Sequence, residues 1–177
     1  MSRKKTDIVL MGVSVLSFFL LAISFLIMPL GNETLTEDVS ANTILCGVLF
    51  WVSLITGITT QCVLAHRRKM WYQINRIRKI RVVQKIGLVS FFKNIGAAVA
   101  DIFTAVSLVG FVVSMVVTDG VGYICYVMIA LFVFSFSMHC ILNGKIFYHV
   151  FNQDKLLQNV EKERAILSKQ ERKPKNV

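Results

Sequence analysis

Two residues able to exchange protons fall inside apolar stretches of this sequence: Asp101, in KNIGAAVADIF, and His139, in FSFSMHCILNG. A carboxylate and an imidazole within reach of each other in a low-dielectric setting either pass a proton between them or form a fixed ion pair. Asp101 follows Lys93 by about 12 Å if the segment is helical. A charged Asp at the centre of a membrane span costs about 2.5–3.5 kcal/mol, so partners are expected. His139 reaches a similar depth if its segment returns as an antiparallel neighbour, and Asn143 lies one turn beyond it on the same face. Thr56, Thr60 and Gln61 approach that depth from another apolar segment. The expected arrangement is an intramembrane polar cluster of Asp101, His139, Asn143, Gln61 and Thr60. It reads in two ways: as a proton- or cation-coupled site, or as a pair that locks helix register.

Other chemistry finds little support. A lipid-cleaving aspartyl site needs two facing carboxylates, and the remaining acids lie at span boundaries or outside. His66, His139 and His149 are scattered and form no ligand set. No Ser/His/Asp order, phosphate-cradling glycine loop or CxxC motif occurs. The expectation is a protein with no catalytic activity, metal or cofactor. Cys46 and Cys125 fall at matching outer depths, which puts an exofacial disulfide within reach; the competing reading is four small, buried, lipid-compatible thiols.

These residues have to be positioned by membrane spans. The chain has 177 residues, 55% of them hydrophobic, with only two prolines and a mean hydropathy of +0.63. Its apolar residues come in runs that match the roughly 20 residues a span needs. Spans are expected over residues 8–30, 44–65, about 90–117 and 121–147. Residues 1–148 form the transmembrane domain and 149–177 a cytoplasmic helical tail. The first span is too long for the apolar core of an ordinary signal peptide, about 7–15 residues. Only Thr118-Asp119-Gly120 separates the last two spans, so they must form a hairpin. The fold class is all-α: an integral-membrane four-helix bundle, up-down-up-down.

Charge gives the direction. Net charge is +10. Lys and Arg flank the spans at residues 3–5, in the basic loop 66–85, at Lys93 and Lys145, and in the tail; the loop after span one and the turn at Asp119 carry acids and no base. The positive-inside rule places both termini and the central loop in the cytoplasm, with a plasma or cytoplasmic membrane as the expected location. Asn32-Glu33-Thr34, a formal glycosylation sequon, falls on the exterior side. The basicity is read as topology and lipid attraction, with no nucleic-acid partner. Arg67, Arg68, Arg76, Arg78, Lys79 and Arg81 are candidate contacts to anionic headgroups. A positive-inside signal with an aromatic belt at Trp71 and Tyr72 explains the same loop.

Small residues recur four apart in the third span, at Gly96, Ala100 and Thr104 and again at Gly110, Ser114 and Thr118. Such stripes allow close helix approach in lipid, which makes span three the expected centre of the bundle. In the tail, Val150, Leu157, Val160 and Leu167 make a seam that Gln153 and Arg164 interrupt. The favoured function is an accessory or scaffolding subunit that binds other membrane proteins through its small-residue helix faces and basic cytoplasmic segments; the expected partners are membrane lipids, including anionic headgroups, and other membrane proteins or further copies of the chain. The runner-up is a small oligomeric proton- or cation-coupled transporter or channel using Asp101 and His139. An anionic-lipid sensor acting through the central loop comes third.

Overall fold

The computed structural model of the chain describes residues 3–27, 41–75, 94–117 and 122–171. They form five helices: α1 (Arg3–Ile27), α2 (Ala41–Ile74), α3 (Ile95–Val117), α4 (Tyr123–Leu142) and α5 (Lys145–Glu171). Four helical segments are long and apolar enough to cross a membrane: α1, α2, α3 and the one beginning at Tyr123. At 1.5 Å per residue, the 20 residues of α4 extend about 30 Å, the thickness of a hydrocarbon core.

The helices pack as an open row. α2 lies on α1, α1 on α4 and α4 on α3, and the α2–α3 interface that would close a bundle is absent among the described residues. Neighbours alternate in direction: Ser14 meets Gln61 while Ser24 meets Cys46, and Gly96 meets Leu142 while Ser114 meets Cys125. The inner pair is α1 and α4. The small-residue stripe of α3 therefore does not make it the centre: α3 is an edge helix that uses the stripe against α4 alone. Ala97, Ala100, Ser107 and Ser114 are buried. A Cβ at Gly110 would come within 2.7 Å of the Met128 sulfur.

The α1–α2 seam follows the same physics with serines. Ser14, Ser17, Leu21 and Ser24 of α1 and Ser53, Gly57, Thr60 and Leu64 of α2 are buried at three- and four-residue steps. Small hydroxylated residues bring backbones close, and several of their hydroxyls bond back to their own helix, while the buried Ser53 hydroxyl has no hydrogen-bond partner among the described residues. Ser17 donates to the Val13 carbonyl at 2.8 Å and Thr60 to Thr56 at 2.6 Å. A Cβ at Gly57 would stand 3.1 Å from the Phe18 ring, so glycine there permits the aromatic contact.

Helix boundaries depart from the sequence expectations for local reasons. α1 begins at Arg3, ahead of residue 8. α2 does not end near Ala65; it continues through the first part of the expected basic loop to Ile74, because Trp71 is buried in packing. α3 begins with Asn94, whose Oδ1 accepts from the Gly96 N–H at 3.1 Å and the Ala97 N–H at 3.4 Å. The Asn94 amide also donates to the Leu142 carbonyl at 2.9 Å, so one side chain caps the start of α3 and the end of α4. The fourth helix does not run on into the tail. It stops at Leu142, Asn143 caps it in right-handed helical geometry, and α5 restarts at Lys145.

The tail is no separate unit either, since α5 packs on α1, α2 and α4. α5 bends at Asn152 (φ −114°, ψ 18°), whose amide donates to the Tyr148 carbonyl. Its buried face is His149, Val150, Gln153, Leu156 and Val160, with Leu157 exposed. Gln153 thus belongs to the seam it was expected to interrupt. A hydrophobic cluster of Met11, Leu64, Ile141 and Val150 ties α1, α2, α4 and α5 together at the basic end of the row.

Candidate functional site: two ionic junctions

Asp101 and His139 meet. The imidazole Nδ1 of His139 pairs with the Asp101 carboxylate across the α3–α4 interface, and both side chains are largely buried. The partnership follows from helix register. Gly96 against Leu142 and a hydrogen bond between Thr104 and Ser135 at 3.0 Å bracket the two residues. The His139 ring also ends a column of parallel rings along α4, stacking on Phe136, which stacks on Phe132. The imidazole is thus held by a carboxylate at one nitrogen and by an aromatic face.

The pair lies nearer the helix ends than expected. His139 is three residues from the end of α4 and Asp101 six residues past Ile95, the first residue of α3, so both are within two turns of those ends.

The five-residue cluster does not form as a unit. Asn143 is buried next to the pair at the α4 terminus, with its backbone N–H on the His139 carbonyl at 3.0 Å. Gln61 and Thr60 are elsewhere. Gln61 donates to Ser14 at 2.8 Å, and Thr60 is buried in the same α1–α2 seam. The reason is the row order: α1 stands between α2 and α4, so matching depth does not bring these residues together.

Beside the pair, on the α3–α4 surface, is a groove of about 330 Å³. Gly96, Val99, Ala100 and Phe103 line it from α3, and Phe134 and Met138 are among those from α4. Neither Asp101 nor His139 lines it, and its only polar side chain is Ser135.

A second ionic junction lies where α1, α2 and α5 converge. Asp7 is 3% exposed. Its Oδ1 accepts from Arg67 Nε at 2.5 Å, and its Oδ2 accepts from the Gln153 amide at 2.9 Å. Arg3 and Arg67 each donate to the other's backbone carbonyl, at 3.1 and 3.4 Å, and Lys4 pairs with Asp154 at the rim. Three helices are tied by one buried carboxylate. The sequence reading passed over Asp7 as a boundary charge. The signal was there: Asp7, Met11, Ser14, Phe18 and Leu21 step by four and three, which puts the carboxylate on the buried stripe of α1.

Arg67 is therefore committed to Asp7 and not to lipid. Arg68 is half-buried nearby, while Arg76, Arg78, Lys79 and Arg81, the Asn32 sequon and the Asp119 turn lie outside the described residues. The Cys46–Cys125 disulfide is not formed. Neither cysteine is in a disulfide. Cys46 donates to the Ser24 carbonyl in the α1–α2 seam at 3.0 Å, and Cys125 contacts Ser114 in the α3–α4 seam at 3.3 Å; equal depth again hid the intervening helices. Among the described residues no group of three or more His, Cys, Asp or Glu could hold a metal ion.

Beyond Lys145, on the polar side of the junction, His149 is buried against Trp71 and Tyr72, with ring centroids 4.9 and 5.5 Å away. Burial pushes its imidazole from an ordinary 6.5 down to about 4; Asp7 opposes this, while Arg68 and Arg3 add to it. The unfolded chain then binds this proton more tightly than the native protein, so His149 contributes stability above pH 6.5 that is lost as pH falls toward 4.

No protein-family model, curated protein or solved structure matches this chain.

Proposed function

We propose that this chain is a non-catalytic accessory or scaffolding subunit of a membrane complex. The observation that carries the reading is the open row. Among the described residues α3 packs on α4 alone, and the groove between them is lined by Gly96 and Ala100, residues small enough to admit a helix closely. Within the row, three polar pairs join helices: Ser14 with Gln61, Thr104 with Ser135, and Asp101 with His139. Such bonds favour a rigid platform over a polar pathway. On this reading the protein is integral to the plasma or cytoplasmic membrane, and its basic end, including α5, faces the cytoplasm.

A second reading, a small oligomeric proton- or cation-coupled transporter or channel, is favoured by one observation: a carboxylate and an imidazole are paired within the apolar segments. Proton flux into liposomes separates the two. The accessory reading predicts flux no greater than in empty liposomes for the wild type, and normal assembly for Asp101→Asn. Wild-type flux that Asp101→Asn abolishes while assembly persists would replace the accessory reading with the transport one.

A further inference from the structure

Three guanidinium groups and one buried carboxylate gather where α1, α2 and α5 meet, and that carboxylate is already taken. Asp7 is bonded to Arg67 and Gln153. Arg3 donates to a neutral carbonyl, Arg67 O, and forms no ion pair among the described residues; nor does Arg68. Both act electrostatically on the same imidazole, that of His149. His149 is 3% exposed, and its Nδ1 has no hydrogen-bond partner among the described residues. The charged groups acting on it are Asp7 and Arg3 from α1 and Arg68 from α2; none comes from α4. On its own helix, Tyr148 acts on the Tyr72 phenol, as Arg68 does.

The junction thus combines positive charge without an ion-pair partner among the described residues, a buried nitrogen with no described hydrogen-bond partner, and an indole and a phenol at the end of a membrane span. Trp and Tyr favour the headgroup layer, and guanidinium groups match phosphate oxygens. Arg3, Arg68 and Tyr72 are only partly buried, so an anion reaches the guanidinium groups from outside while His149 stays behind them. We propose that this junction is a phosphate-binding site, in which Arg3 and Arg68 hold the phosphodiester of an anionic phospholipid headgroup against the Trp71–Tyr72–His149 wall. Free phosphate offers the same chemistry.

Binding is linked to protonation. An anion on Arg3 and Arg68 offsets the positive field that helps keep His149 neutral and adds an attractive one. The bound state therefore raises the affinity of His149 for its proton, and by reciprocity acidification tightens anion binding.

The test uses the full chain in neutral phosphatidylcholine nanodiscs. A Trp51→Phe background leaves Trp71 as the one remaining tryptophan, since the chain has two. Phosphatidylglycerol is raised stepwise and Trp71 emission is followed at pH 7 and pH 5, with inorganic phosphate in phosphatidylcholine discs as a parallel arm. A saturable shift is expected, tighter at pH 5 than at pH 7. Arg68→Gln and Arg3→Gln should each weaken it by about tenfold, and His149→Phe should remove its pH dependence. Lys69→Gln, an exposed neighbour, should change it about twofold or less. Saturation by phosphatidylglycerol alone identifies a lipid ligand; an equal response to inorganic phosphate identifies the free anion in the same site. Equal losses for Lys69→Gln and Arg68→Gln, pH dependence that survives His149→Phe, or no response to either anion would overturn the proposal.

Discussion

Replacing Arg67 with methionine is expected to destabilise the protein by about 3–5 kcal/mol, the cost of leaving a buried charge without its partner. The Asp7 side chain is 4% exposed and Arg67 29%, so the two are not equivalent. Without Arg67, Asp7 keeps the Gln153 amide but loses its paired counter-charge while remaining buried. Without Asp7, Arg67 can turn toward water, so Asp7→Asn should cost less than Arg67→Met. The double variant should recover much of the Arg67→Met loss, because neutral groups of similar size are tolerated where one orphaned charge is not. Unfolding titrations of the four proteins in one detergent check this. Equal, additive losses would show that Asp7 and Arg67 act independently, contrary to the structure. Because Asp7 also holds Gln153, Arg67→Met should further loosen α5, seen as faster proteolysis after Lys155 or Lys162.

His139→Leu is the second large effect. It takes the imidazole from the Asp101 carboxylate. Taking the partner from a largely buried charged group costs about 1–3 kcal/mol or more, and a loss of that size is expected in the same titration. Asp101→Asn should cost less, since the amide oxygen still faces Nδ1 and no charge remains to be compensated. That ordering reports a register lock between α3 and α4. The reverse ordering would mean that the carboxylate is anchored by something other than His139.

Much of the described helical content was legible in the sequence, because runs of apolar residues near the length of a bilayer core leave few alternatives. The Asp101–His139 pair was legible too: a short connection makes the last two segments neighbours, and counting residues from it matches their depths. What failed was lateral order. Residue counting gives depth along a helix but not which helices touch, and small-residue stripes occur on both α1 and α3. Gln61, Thr60, Cys46 and Cys125 were each assigned the wrong neighbour. The junction around Asp7 was missed because α5 supplies part of it. Gln153 looks like a defect in a coiled-coil seam until α5 folds back and its amide meets a carboxylate 146 positions away. The break at Asn143 and Gly144 that permits this has no proline to announce it.

The most direct test of the accessory reading is co-purification from the protein's own membranes in mild detergent, with mass spectrometry of intact complexes. The wild type is expected to carry a stoichiometric membrane-protein partner. Val99→Trp, which fills the groove from its exposed edge, is expected to release that partner while the chain remains folded. A wild type that purifies alone, as monomer or homo-oligomer, would contradict a partner-bound subunit, and a partner that Val99→Trp retains would contradict the groove as its docking site.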